Sequence, residues 1–268
     1  PLSFHEEDPS LITVAGINEG EISKKLGISG ASNVAEDVMV ARDCMIAIKT
    51  GAKVNIQHIS SGVSVETVRM AKKLGANVYA EATPHHFTLT EEDVLNYGTN
   101  AKMNPPLRTE NDKLKIIEGL QDGTIEIIAT DHAPHTLEEK INSYTTCPSG
   151  GPLVQHALVA MFEAHHQGKI SVEKIVEKMC HNPAKIFKIE KRGFIKEGYY
   201  ADIAIVNAYL PWNVKKENIL YKCGWSPFEG YNFKSRVTHT FVNGKLVYHN
   251  GKVKDVKVGQ RLLFEREV

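Results

Sequence analysis

The chain has 268 residues, 42% of them hydrophobic, with 32 Lys and Arg against 32 Asp and Glu. That length allows one barrel-sized domain or two smaller ones with a sizeable core, and the balanced charge gives no reason to expect nucleic acid or an anionic membrane as partner. No apolar run approaches the roughly 20 residues of a membrane span, no signal-peptide pattern opens the chain, and Cys44, Cys147, Cys180 and Cys223 lie far apart without C-x-x-C spacing, which fits free thiols in a reducing cytoplasm.

Leu2–Phe4 is a short apolar segment that ends on His5. Residues 9–32, with Gly16, Gly20, Gly27 and Gly30, read as loop with a short helix near 20–26. Ser32 and Asn33 can cap a helix over 34–49, where Val34, Val38, Ala41, Met45 and Ile48 recur at helical spacing. A strand is expected at 53–59, a helix at 63–74 capped near Ser61, and a strand at 78–82. Thr90 to Asp93 reads as a capping-box variant that opens a short helix. Residues 101–103 read as a brief strand before Pro105-Pro106, followed by a helix at 110–121, a strand at 124–130 and helices at 152–167, 171–180 and 182–187. Strands alternating with helices predict right-handed βα units on a parallel sheet. After Gly193 the pattern changes to strands at 198–206 and 237–248, the latter interrupted by the hairpin pair Asn243-Gly244.

The densest chemistry lies in Ile125 to His135, a β-branched apolar run that stops at Asp131-His132 and His135. Two further strand ends carry His5 and His58. In barrels of alternating strands and helices, the carboxyl ends of the strands are where chemistry sits. Imidazole and carboxylate are the usual ligands of a catalytic divalent metal, zinc especially, and the thiolate alternative is absent. On residue types alone other readings stay open. Asp131 could cap a helix, His5 and His58 could be rim histidines, and Asn104 could make an Asx turn before Pro105.

Thr130-Asp-His-Ala-Pro-His135, taken with Asn104-Pro-Pro-Leu-Arg108 and Gln57-His-Ile-Ser60, resembles the dihydroorotases. These are cyclic amidohydrolases of the metal-dependent amidohydrolase superfamily, and the resemblance runs along nearly the whole chain. Allantoinases and hydantoinases are similar at Thr83-Pro84-His85 and at Asp131, but usually lack the pairing of the Asn-Pro-Pro-Leu-Arg and Asp-His-Ala-Pro-His segments. The resemblance implies an α/β fold of the (β/α)8 TIM-barrel type. Residues 1–192 would be the second half of the barrel, and 193–268 part of a small β-sandwich domain. The family's His-x-His motif, substrate Arg and bridging metal ligand have no match here, so the chain is expected to be the C-terminal portion of a longer enzyme, inactive by itself and a poor metal binder.

By the same resemblance, His5 and His58 are metal ligands, and Asp131 is both a ligand and the catalytic carboxylate. The metal is zinc, two ions per complete site. Asn104 and His135 bind substrate, and so does Gly151, through backbone N–H groups of the loop Ser149–Pro152. His132 stands behind the ligands, His85-His86 is structural, Arg108 is a surface bystander or an ion-pair partner, and Glu6-Glu7-Asp8 is a charged loop. The implied reaction interconverts dihydroorotate and N-carbamoyl-L-aspartate in pyrimidine biosynthesis. The partner is a small-molecule substrate, with no nucleic acid and no membrane, and a homo-oligomer is compatible. The alternatives are an allantoinase or hydantoinase, or a metal-free scaffold that keeps the fold.

Overall fold

Four short strands, β1 (Leu2–Phe4), β2 (Val54–Ile56), β3 (Val78–Ala82) and β4 (Ile127–Ile128), pair in chain order and all in parallel in the computed structural model, which describes residues 1–265. Seven helices are interleaved with them: α1 (Glu21–Lys25), α2 (Val34–Thr50), α3 (Gly62–Lys73), α4 (Pro84–Thr88), α5 (Val94–Tyr97), α6 (Glu110–Asp122) and α7 (Leu137–Lys140). Successive strand residues point to opposite faces. Val54, Ile56, Val78, Ala80 and Ala82 are buried, as are Val40 and Cys44 of α2, Val65 and Val68 of α3, and Ile116 and Leu120 of α6. Each large side chain in that layer contributes on the order of 1.5–3 kcal/mol by leaving water. The other face is polar: the Asn55 amide donates to Glu81 at 3.1 Å and reaches the Ser3 hydroxyl at 3.4 Å.

The helix ends follow local chemistry. The Ser61 hydroxyl accepts from the Val63 N–H at the start of α3. Thr109 and Asp112 form a reciprocal capping box on α6, and α6 stops at Gly123 with φ +88°, a left-handed turn that glycine adopts without penalty. Thr90 and Asp93 make the expected box on a 3-10 turn, Glu91–Asp93.

Three expectations are corrected. Residues 101–103 are not a strand: Ala101 closes a 3-10 turn, and Lys102 and Met103 run on as buried coil. A strand needs a partner ladder, and here the Lys102 carbonyl accepts from the Gly150 N–H at 2.9 Å and the Lys140 ammonium at 3.5 Å, neither of them part of a ladder. The helix expected at 152–167 begins at Ala157, because the Leu153 N–H bonds to His132 Nδ1 and the Gln155 N–H to the Tyr221 hydroxyl. The strands at 53–59 and 124–130 are shorter than expected, although single bonds extend the ladder, Gln57 N to Phe4 O, Ile59 N to Glu81 O and Ala129 N to Ala82 O.

The chain forms two compact units, Pro1–Ala157 with Ile219–Glu229, and Leu158–Asn218 with the residues from Gly230 onward. Helices α8 (Ala157–His166), α9 (Val172–Val176) and α10 (Asn182–Ile186), the last two joined by a π-helical turn, belong mainly with the β elements that follow. Side chains explain this: His166 reaches Ser235 at 2.9 Å, and Glu163 accepts from the Lys234 N–H at 3.3 Å. Strands β5 (Ile203–Asn207), β6 (Trp212–Asn213), β7 (Asn232–Phe233), β8 (Arg236–Val242), β9 (Lys245–His249) and β10 (Lys252–Val253) complete this unit. They form an antiparallel sheet in the order β10-β9-β8-β5 and a β6-β7 pair. The β8–β9 hairpin turns at Asn243-Gly244, both at positive φ, as the pair predicts. No helix among the described residues is long and apolar enough to cross a membrane.

Gly119 shows how closely α6 packs: a Cβ there would meet Val65 Cγ1 at 2.9 Å and Ile125 Cδ1 at 3.0 Å. Gly119→Val should therefore destabilise the chain by about 1–3 kcal/mol through overpacking. A urea midpoint equal to or above that of the parent chain would show slack between α3 and α6.

Candidate active site

The carboxyl ends of β1, β2 and β4 deliver His5, His58 and Asp131, and β3 delivers Thr83-Pro84-His85-His86. His58 and Asp131 have φ of +33° and +45°, a region sparsely used by residues other than glycine, in which His and Asp are enriched. Backbone held there against its preference collects at functional sites. His5 Nδ1 lies 3.0 Å from His58 Nε2, and the two rings meet edge to face. The other nitrogen of His5, Nε2, is 2.9 Å from the Glu7 carboxylate and 3.4 Å from the Asn104 amide nitrogen.

Electrostatics separate these groups. The Glu7 carboxylate first, and then the charges of Glu36 and Asp131, raise His5 above the ordinary imidazole range, against the effect of burial. Burial, with His5 and His86 nearby, pushes His58 down to about 3, so that ring is neutral at physiological pH. Burial raises the Asp131 carboxyl, while His5 favours its ionised form. A raised carboxyl is a better proton acceptor than an exposed one.

The imidazole pair is the test of whether a divalent ion fits. Two rings whose nitrogens face each other at 3.0 Å must either share a proton or present both lone pairs to a cation. That separation is below the about 4.1 Å given by two zinc–imidazole bonds end to end, so one ion can touch both nitrogens. Glu7, against the far nitrogen of His5, is the carboxylate partner that usually fixes the tautomer of a ligating histidine. The fit covers part of a ligand shell: among the described residues no group of three His, Cys, Asp or Glu side chains is assembled to hold an ion.

The loops that carry these groups are fastened by a buried guanidinium. Arg108 is 3% exposed, so of its two expected roles the surface bystander fails and the structural ion-pair partner holds. Its Nε donates to the Ser60 hydroxyl at 3.1 Å, and its Nη1 donates to Asn18 Oδ1 at 2.9 Å and the Ala31 carbonyl at 2.8 Å. Its Nη2 faces Glu7 at 3.9 Å and Glu36 at 4.0 Å. Glu36, at the start of α2, accepts the N–H groups of Ser60 and Ser61 at 3.0 Å each and the Ser60 hydroxyl. The expectation of a charged loop at Glu6-Glu7-Asp8 fails for its first two members, which are buried. Burial and the neighbouring Asp43 carboxylate push Glu6 up to about 8. Asp8 instead caps the 3-10 turn Pro9–Leu11.

Beyond Asp131 the chain is clamped differently. His132 Nδ1 accepts the Leu153 N–H, and residues 132 and 151 form a parallel bridge. Gly150, at φ +111°, lies so close to Ala133 that a Cβ would meet its carbonyl oxygen at 2.8 Å. The Lys140 ammonium, 1% exposed, donates to the carbonyls of Pro148 and Gly150 at 3.0 and 3.2 Å, and burial pushes it down to about 8. The Lys102 ammonium donates to the carbonyls of Tyr144 and Cys147 at 2.7 Å. Gly151 is thus held by backbone and lysine contacts. His135, half-buried, contacts Glu139 at 3.5 Å, and its carbonyl accepts the Trp225 indole N–H at 2.7 Å. The structure therefore groups His5, His58, Asn104 and Glu7 by direct contact and Asp131 with His5 by charge, while His135 and Gly151 lie on the neighbouring loop. Sequence reasoning missed Glu36, placed Glu7 in a charged loop, and left Arg108 between bystander and ion-pair partner. Their signal was local: an Arg closing a Pro-Pro-Leu segment and a Glu in the first turn of a helix with one buried face.

The profile of the amidohydrolase family matches residues 30–247. Curated relatives include the dihydroorotase of Clostridioides difficile (strain 630), 57% identical over 250 residues. Those of Clostridium acetobutylicum and Lactococcus lactis subsp. lactis are 47% and 46% identical. These alignments cover 92–93% of this chain and 58–59% of each relative, so the chain spans little more than half the length of the relatives it matches. Among solved structures, the L-hydantoinase of Arthrobacter aurescens superposes with a TM-score of 0.83 at 24% identity, covering 94% of this chain and 58% of that one. The D-hydantoinase of Thermus sp. gives 0.83 at 22% identity, with 94% and 57% covered. Family and neighbours together give a TIM-barrel-type α/β fold.

Arg108→Met should cost about 3–5 kcal/mol, because it leaves Glu7 and Glu36 buried without their cation. Adding Glu36→Gln to it should recover at least about 1 kcal/mol in urea unfolding. A single variant as stable as the parent chain would remove Arg108 from the centre of this network.

Proposed function

The chain belongs to the amidohydrolase family, and we propose that it is the substrate-facing part of a dihydroorotase acting in pyrimidine biosynthesis. The observation that carries this reading is the His5–His58 nitrogen pair at 3.0 Å, beside Asn104 and within the field of Asp131, at the carboxyl ends of parallel strands. Relatives named dihydroorotase at 46–57% identity support it.

On this reading His5, His58 and Asp131 hold zinc, two ions per complete site, with the remaining ligands supplied from outside residues 1–268. Bound there, the metal would polarise the ring amide carbonyl and make water acidic enough to attack near neutral pH. The rest is the work of this chain. Asp131 accepts the proton of the attacking water and passes it to the ring nitrogen as the carbon–nitrogen bond breaks, so dihydroorotate and water become N-carbamoyl-L-aspartate. Asn104, whose Oδ1 is buried and unpartnered among the described residues, accepts from substrate N–H. His135 and the backbone N–H groups near Gly151 take the substrate carboxylate. Glu7 holds His5 in the tautomer that leaves Nδ1 free. The four cysteines, free in the structure, fit a cytoplasmic protein.

The test joins residues 1–268 to the segment of the Clostridioides difficile relative that they do not cover, and follows dihydroorotate hydrolysis with added zinc. Turnover abolished by a chelator, and reduced at least about 100-fold in kcat by Asp131→Asn, is the expected result. Preference for hydantoin or allantoin over dihydroorotate would instead make this a hydantoinase- or allantoinase-type enzyme. Zinc-free folding without turnover on any cyclic amide would make it a scaffold. The 268-residue chain alone should bind zinc weakly and be inactive, as measured by metal analysis and the same assay.

A further inference from the structure

Thr83, His85 and His86 lie at the carboxyl end of β3, buried and outside the set of groups used above. Thr83 Oγ1 lies 3.0 Å from His85 Nε2 and 2.8 Å from His86 Nδ1, and His86 Nε2 lies 3.0 Å from the carbonyl oxygen of Pro105. Donor and acceptor accounting gives this chain a direction. A carbonyl oxygen only accepts, so His86 Nε2 carries the proton. In a neutral ring Nδ1 is then bare, and it must accept from the Thr83 hydroxyl. The Thr83 proton is thereby committed, so its oxygen accepts from His85 Nε2–H. His85 is left with a bare Nδ1, and that atom has no hydrogen-bond partner among the described residues, as a lone pair without a donor would. Burial supports neutrality on both rings: it pushes His86 down to about 4 and His85 well below the usual imidazole range. The reverse order would need a charged His86 in a fully buried position.

We propose that this one-directional chain, His85 to Thr83 to His86 to the Pro105 carbonyl, sets the place of Asn104, and that His86 is thereby a positioning residue for the substrate-facing amide. The geometry suits that task. Asn104 precedes Pro105, its amide nitrogen stands 3.4 Å from His5 Nε2, and Arg108 anchors the same segment three residues later. Between them His86 and Arg108 hold both ends of the Pro105-Pro106-Leu107 stretch, one through the backbone and one through a side chain. The Pro105 carbonyl fixes the proton on His86 Nε2, and the Thr83 hydroxyl, by donating to the bare Nδ1, holds the ring in place from its other side. The positional claim rests on the proposed role of Asn104; the direction of the chain does not.

The test is 15N NMR of the 268-residue protein with labelled histidine and asparagine at neutral pH, the ring signals of His86 being assigned by their loss in His86→Gln. The expected result is a proton on Nε2 and a pyridine-type Nδ1 in both His85 and His86. In Thr83→Val, which keeps the shape and removes the hydroxyl, His86 Nδ1 should lose its donor and shift downfield, and the Asn104 side-chain amide signal should move with it. Thr83→Ser should restore both. A proton on His86 Nδ1, or an imidazolium at either ring, overturns the chain, and this is read on the parent protein even if Thr83→Val does not fold. A Thr83→Val spectrum with His86 shifted but Asn104 unmoved overturns the positioning role. Failure of the joined enzyme to hydrolyse dihydroorotate, with these spectra as expected, would sink the functional reading and leave the chain in place.

Discussion

The Arg108 guanidinium, buried between two carboxylates, is the constraint on which the site depends. Strands of three, three, five and two residues cannot by themselves fix side chains beyond their ends, since each ladder bond holds only backbone. The rim therefore needs tethers between loops. Arg108 supplies them to the loop after β1 through Glu7, the loop after β2 through Ser60, the start of α2 through Glu36, and residues 18 and 31 through direct bonds. A planar group with five donors can bind in several directions at once, which an ammonium cannot do with the same geometry. Burying that charge is expensive, and two carboxylates at about 4 Å with three good hydrogen bonds offset the cost. The His5 and His58 nitrogens are close because the loops behind them are pinned to the same cation.

The loop after β4 solves the same problem in another way. Lys102 and Lys140 are buried against backbone carbonyls instead of carboxylates. Carbonyl dipoles stabilise an ammonium less than a full negative charge does, and burial draws both lysines below their usual range. This arrangement keeps net negative charge out of the neighbourhood of Gly151. A loop proposed to receive a carboxylate through its N–H groups gains from that choice, because a carboxylate partner for either lysine would repel the substrate. The two sides of the rim thus differ in charge design: carboxylates gather behind His5 and His58, and cations with dipoles gather behind Gly151.

The parts legible in the sequence are those governed by local periodicity. The long helices α2, α3 and α6, the strand β3, the capping boxes and the Asn243-Gly244 hairpin all stand close to where residue spacing puts them, because each rests on contacts within a few residues. The histidines and Asp131 were legible as strand ends. The rest depended on tertiary contacts that a single sequence does not display. Arg108, Glu6 and Glu7 look like surface charges until the fold buries them together. Helix α8 starts late because His132 and Tyr221 take the N–H groups that precede it. Residues 101–103 have no ladder to join, and the second unit begins at Leu158, where Glu163 and His166 bond to the segment around Ser235.

The same tertiary logic separates the two imidazoles that face each other. His5 touches a carboxylate and is drawn toward the proton; His58 is surrounded by burial and other rings and is driven from it. A pair arranged in this way has one nitrogen ready to release a proton and one that never takes it up near neutral pH. Any cation shared by the two competes with a proton on His5 alone. Glu7 cuts both ways in that competition: it raises the affinity of His5 for a proton and, by holding Nε2–H, leaves Nδ1 as the more basic donor to a metal. Arg108, 3.9 Å from the same carboxylate, offsets part of the field that Glu7 exerts on His5. The balance between proton and metal at His5 is thus set one contact beyond Glu7, by a guanidinium that reaches the ring through that carboxylate.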